Sequence, residues 1–63
     1  MTYYEDKAIE LLDRIPLDSL ARYMDDDLRE QAHVELAPCS DLEFLVRYLE
    51  LHEEMFGEEF EIN

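Results

Sequence analysis

Residues 40–57 read SDLEFLVRYLELHEEMFG. Ser40-Asp41-Leu42-Glu43 has the spacing of a capping box, in which a serine hydroxyl meets the amide three residues on. Gly57 suits the left-handed position just past a helix end. The segment between them therefore predicts one helix ending at Phe56. Leu42, Leu45, Leu49 and Phe56 form one apolar stripe on it. Phe44, Tyr48, Leu51 and Met55 form a second beside the first. Glu43, Arg47, Glu50 and Glu54 make the polar edge, with Glu43 and Arg47 spaced as an i,i+4 ion pair. An apolar face this wide belongs to a central helix or to one that also meets a partner. In a lone small domain the central role is preferred.

The chain before it reads as shorter helices. Thr2-Tyr3-Tyr4-Glu5 repeats the capping-box spacing. Tyr4, Ala8, Leu11, Leu12 and Ile15 follow the helical period, which predicts a first helix over about residues 3–14. Pro16 ends it. Leu17, Leu20, Ala21 and Met24 predict a brief second helix over 17–24. Asp25-Asp26-Asp27 supplies capping residues and favourable charge for a helix N-terminus. Leu28, Ala32 and Leu36 then predict a third helix over about 27–36, stopped by Pro38. Beyond Gly57, Phe60 and Ile62 alternate with Glu59 and Glu61. This pattern fits a short strand or an extended tail with two docked apolar residues. No other strand signal exists to pair with, so the tail is preferred. The expected fold is all-α: a compact bundle of three to four short helices with an acidic C-terminal tail, in one domain spanning residues 1–63.

Charge sets this chain apart. Its 63 residues hold 18 acids and 5 bases, a formal net charge of −13, while 48% of residues are apolar. That apolar fraction supplies a core and argues against disorder. The imbalance is concentrated: residues 25–63 carry thirteen acids and two bases. Such a charge opposes the compact state through self-repulsion and exceeds what solubility requires of a small domain. It also excludes partners. A phosphate backbone needs a basic patch, and an anionic membrane surface would repel this protein. No apolar run approaches the roughly 20 residues of a spanning helix, and the N-terminus lacks the regions of a signal peptide. A single cysteine makes no internal disulfide, so the expected location is intracellular.

Catalytic and metal chemistry find little support. His33-Val34-Glu35 followed by Pro38-Cys39 resembles half of a zinc-deaminase signature, but Leu42 stands where the second cysteine belongs. His33, Cys39 and His52 are spaced irregularly for zinc. The histidines read better as helix-surface or core-edge residues, and Cys39 as a small, partly buried apolar one. Asp25-Asp26-Asp27 lacks the glycine and the distal glutamate of a calcium loop. Ser19 and Ser40 lack the glycine-framed turn of a nucleophile. The expectation is a protein without enzymatic activity, cofactor or bound metal.

What remains is the charge itself. Duplex DNA carries one negative charge per roughly 1.7 Å of axis. Carboxylates three or four residues apart on a helix lie about 5–6 Å apart and present a comparable field. Glu50, Glu53 and Glu54 have that spacing and continue toward Glu58, Glu59 and Glu61. Asp25, Asp26 and Asp27, with Glu30 and Asp41, form a second cluster if the third and fourth helices pack antiparallel. The expected partner is a basic nucleic-acid-binding protein. The expected contacts are Asp25, Asp26, Asp27, Glu50, Glu53, Glu54, Glu58, Glu59 and Glu61.

In size, acidity and helical content the chain resembles the small inhibitors of phages and mobile elements, the anti-CRISPR and DNA-mimic anti-restriction proteins. The stretch DDLREQAHVELAPCSDLEFLVRYLE, residues 26–50, resembles segments of small acidic mobile-element proteins. The resemblance implies inhibition of a Cas effector in the bacterial cytoplasm by occupying a surface that binds nucleic acid or reads the PAM. Arginines that read bases there are natural partners for carboxylates. The rival reading is a non-enzymatic helical interaction module, or an antitoxin-like accessory partner, docking through Phe44, Tyr48, Leu51 and Met55. Both a monomer and a homodimer fit the sequence.

Overall fold

The computed structural model describes residues 3–36 and 40–62. Helix α1 spans Tyr3–Arg14, α2 spans Leu17–Leu20, α3 spans Asp26–Leu36 and α4 spans Asp41–Phe56. A single 3₁₀ turn, Ala21–Tyr23, follows α2 directly, so the expected second helix over 17–24 divides into two short pieces. Met24, extended at φ −84° and ψ 147°, ends the turn. Among the described residues there is no strand. Residues 58–62 form an extended tail.

The boundaries follow from capping chemistry. The Ser40 hydroxyl accepts a hydrogen bond from the Glu43 amide at 3.2 Å, as the capping-box spacing predicts. Gly57 adopts φ 73° and donates its amide to the Glu53 carbonyl at 2.8 Å. Only glycine enters that left-handed region without a Cβ penalty. Asp25 caps α3: its Oδ1 accepts from the Asp27 and Leu28 amides at 3.0 and 3.2 Å. The helix accordingly begins at Asp26, one residue ahead of its predicted start. Thr2, Pro38 and Cys39 lie outside the described residues.

Helix α4 is the centre of the molecule. Both α1 and α3 pack against it, and it contributes Phe44, Leu45, Tyr48, Leu49 and Leu51 to the core. The other helices add Ala8 and Leu11 from α1 and Leu28 and Ala32 from α3, and Leu20 and Met24 enter beside them. Phe60 closes the core from the tail, its ring edge-on to Tyr48 at 5.2 Å. Ile62 packs partly buried against the same cluster. Burying a large apolar side chain contributes about 1.5–3 kcal/mol, so these few side chains dominate the stability of so short a chain. The Cα radius of gyration is 10.6 Å. That matches the roughly 10.6 Å of an ordinary domain of this length.

Two expectations about α4 need correction. Met55 and Phe56 do not continue the buried stripes; they are 64% and 49% exposed. The contacts of the last turn, Tyr4 with Glu53 and the tail with His52, leave Met55 and Phe56 largely uncovered. Arg47 does not pair with Glu43. It reaches Glu35 on α3, with Nη2 at 3.0 Å and Nε at 3.1 Å from the same carboxylate oxygen. Glu35 is further held by the Gln31 side-chain amide at 3.0 Å. A partner on a neighbouring helix, itself already fixed, holds Arg47 better than an exposed residue on its own helix.

Candidate partner-binding surface

The acids at the end of α4 stand where helix physics disfavours them. Unpaired carbonyls give a helix C-terminus partial negative charge, which favours cations. The last turn of α4 holds Glu53 and Glu54 and no basic residue. Glu50, Glu53 and Glu54 line one shallow depression together with Tyr4 of α1. The Tyr4 hydroxyl donates a hydrogen bond to the Glu53 carboxylate. This bond joins the start of α1 to the end of α4.

The tail brings its own carboxylates to the same region. His52 Nδ1 lies 3.0 Å from the Glu58 carbonyl oxygen, and its ring packs near Tyr48, Phe56 and Phe60 at 5.9, 4.7 and 5.4 Å. Lys7, the single lysine of the chain, reaches Glu59 at 3.5 Å and Glu61 at 3.8 Å. The C-terminal acids are therefore not wholly without a counter-charge, as their local sequence suggests. Lys7 arrives from α1, fifty residues away in the chain, and its side chain is only 15% exposed.

Tyr3 reports how closely these groups gather. A hydrogen bond to Glu59 raises the Tyr3 hydroxyl above its usual range, and burial and the charges of Glu59, Glu61 and Glu53 add to the shift. The same bond holds the Glu59 carboxyl below its usual range, against the opposing effect of burial and with help from Lys7. Glu53, Glu59 and Glu61 thus surround one end of α1. Lys7 and Arg14 line the groove that Glu59 and Glu61 share with Asp6 and Glu10, so acids outnumber bases there.

The second predicted cluster is only partly a surface. Asp26, Glu30 and Asp41 share an open cleft of about 740 Å³ with Asp18, Arg29 and His33, over a floor that includes Leu17, Ala21 and Phe44. Asp26 pairs with Arg29 at 3.4 Å. Asp25 has a structural task as the cap of α3, and its amide donates to the buried Tyr48 hydroxyl at 2.8 Å. Asp27 is exposed. His33 is an exposed helix residue whose ring lies 6.3 Å from Phe44. Among the described residues, no three His, Cys, Asp or Glu side chains are grouped to hold a metal. Nor is any helix long and apolar enough to cross a membrane.

The rival contact stripe loses most of its members to the core. Phe44, Tyr48 and Leu51 are buried, which leaves Met55 alone on the surface. The contributions of Lys7, Tyr3 and Tyr4 escape sequence reasoning because they depend on how α1 crosses the end of α4.

Fold and surface together define a class: a small, strongly acidic, all-helical protein. The chain belongs to the family described as Anti-CRISPR protein AcrIC5, whose model matches residues 13–60, from the end of α1 through Phe60. It is an anti-CRISPR inhibitor, and its partners are Cas proteins or their complexes. No curated protein and no solved structure matches the chain.

Proposed function

We propose that this inhibitor occupies a basic surface of a Cas effector that otherwise binds nucleic acid or reads the PAM, and that its carboxylates stand in for phosphates. The observations that carry the reading are Glu50, Glu53 and Glu54 beside Tyr4 at the end of α4, and Glu59 and Glu61 on Lys7, with Glu58 between them in the chain. Glu54 and Glu58 are the most open of these acids: both are exposed, and neither carboxylate has a hydrogen-bond or ion-pair partner among the described residues. Asp26, Asp27, Glu30 and Asp41 offer a second acidic region, with Asp25 holding its backbone in place. Complementary charge speeds encounter and makes binding sensitive to salt. The protein acts where its target acts, inside the bacterial cell, by occupancy and without chemistry of its own.

The test is protection of an invading phage or plasmid in cells that each carry one CRISPR system from a panel. Glu54→Lys with Glu58→Lys is the informative variant, because it disturbs neither the Tyr4–Glu53 bond nor the Lys7 pairs. Protection against one system, lost in a folded variant, supports mimicry and identifies the effector. Full protection by that variant excludes this surface.

A further inference from the structure

The acidic end of α4 also carries two uncovered apolar side chains. Met55 is 64% exposed and Phe56 is 49% exposed. Glu53 and Glu54 precede them, and Glu58 and Glu59 follow Gly57. Four carboxylates thus flank an aromatic ring and a thioether within seven residues.

The ring is held in place before any partner arrives. Its centroid lies 4.7 Å from that of His52, whose Nδ1 meets the Glu58 carbonyl oxygen at 3.0 Å and whose ring meets Phe60 at 5.4 Å. Gly57, at φ 73°, turns the chain immediately after the ring and makes that contact with Glu58 possible. A side chain braced in this way loses little freedom on binding. Protein interfaces concentrate their affinity in such groups, aromatic and methionine side chains within a polar rim.

We propose that Met55 and Phe56 form an apolar anchor that enters a hydrophobic depression within the basic surface of the Cas effector, while the surrounding carboxylates pair with lysines and arginines at its rim. The inference rests on the proposed function and adds a contact that charge mimicry alone does not need. Charge complementarity selects the occupant. A second copy of this chain would bring the same excess of carboxylates against itself, whereas a basic surface neutralises them.

The experiment measures affinity for the effector identified in the protection panel, at about 0.1 M and about 1 M salt, where screening lengths are roughly 10 Å and 3 Å. Three folded variants run beside the wild type: Met55→Ser with Phe56→Ser, Glu54→Lys with Glu58→Lys, and Phe56→Leu. The serine variant is expected to lose about tenfold or more in affinity at both salt concentrations, the scale of a hot-spot truncation. The lysine variant is expected to lose much more at low salt than at high salt. Phe56→Leu, still apolar, is expected to retain most of the binding. Wild-type affinity in the serine variant, with loss in the lysine variant, overturns the anchor and leaves mimicry standing. Wild-type affinity in the lysine variant overturns the mimicry on which the anchor rests. Sedimentation showing a wild-type dimer that the serine variant dissolves also overturns the proposal, since the patch would then join two copies.

Discussion

Tyr48 shows how one side chain ties sequence to fold. Its ring is fully buried, while its hydroxyl accepts the Asp25 amide at 2.8 Å. Tyr48→Phe keeps the ring and removes that acceptor, and is expected to cost about 1 kcal/mol in denaturant unfolding. Burial raises the Tyr48 hydroxyl above its usual range, and the nearby Asp25 charge adds to this; the Asp25 amide opposes it. The neutral phenol is thus the form the fold favours. Its stabilisation is full below the unfolded tyrosine range, about pH 10, and is lost as pH rises toward the folded value. Tyr48→Phe should flatten that alkaline loss, which unfolding measured across pH 9–11 checks (about the tyrosine range). Asp25 permits a cleaner separation of roles. Asp25→Ala removes the cap of α3 and is expected to cost about 1 kcal/mol, whereas Asp25→Asn keeps a capping oxygen and removes only charge. Inhibition lost in the alanine variant but retained in the asparagine one would make Asp25 a structural residue.

At the scale of elements, the tail and the end of α4 act together. Phe60 is 3% exposed and packs on Tyr48 and His52. It places Glu58, Glu59 and Glu61 against α1 and α4. Phe60→Ala is expected to cost about 3 kcal/mol, at the lower end for a buried phenylalanine because an extended tail can withdraw and let the site collapse. Inhibition should fall with it, and circular dichroism should show that the helices persist under native conditions. Glu54 links stability and function in opposite directions. A lysine there would complement the negative end of α4, so Glu54→Lys should raise the thermal midpoint while weakening inhibition. A variant with a lower midpoint would show that the carboxylate has a structural partner.

For the whole molecule, the charge of −13 has two consequences of opposite sign. Added salt screens repulsion within the fold and should raise the thermal midpoint. The same salt should weaken binding to a basic effector. Measuring both in one salt series separates them, and a fall in both would mean that the internal ion pairs outweigh the repulsion. Acid acts through particular groups. Hydrogen bonds from Gln31 and Arg47 hold Glu35 below the usual carboxylate range, and Tyr3 and Lys7 do the same for Glu59. The stabilisation from such depressed groups is full above the unfolded carboxylate range and is lost as pH falls through the folded values. These contributions should fade below about pH 4 while protonation relieves the repulsion among the other acids, and replacing Arg47 by leucine should reduce the contribution of Glu35, which unfolding measured across the acid range checks.

The helices were legible in the chain because their signals are local. Ser40 and Gly57 delimit α4, Pro16 follows the end of α1, and the spacing of Leu28 and Ala32 marks the buried side of α3. Capping, proline and periodicity act over a few residues and need no knowledge of neighbours. The central place of α4 and the docked tail were also legible, since an apolar face that wide and a lone Phe60–Ile62 pair have few other uses. Tertiary structure decided which partners the side chains chose. Arg47 turned from Glu43 to Glu35, Lys7 crossed to Glu59 and Glu61, and Tyr4 reached Glu53. It also decided where the apolar stripes stop being covered, leaving Met55 and Phe56 in the open among carboxylates. Periodicity records which side of a helix is apolar; where cover ends depends on how far the neighbouring elements extend along it.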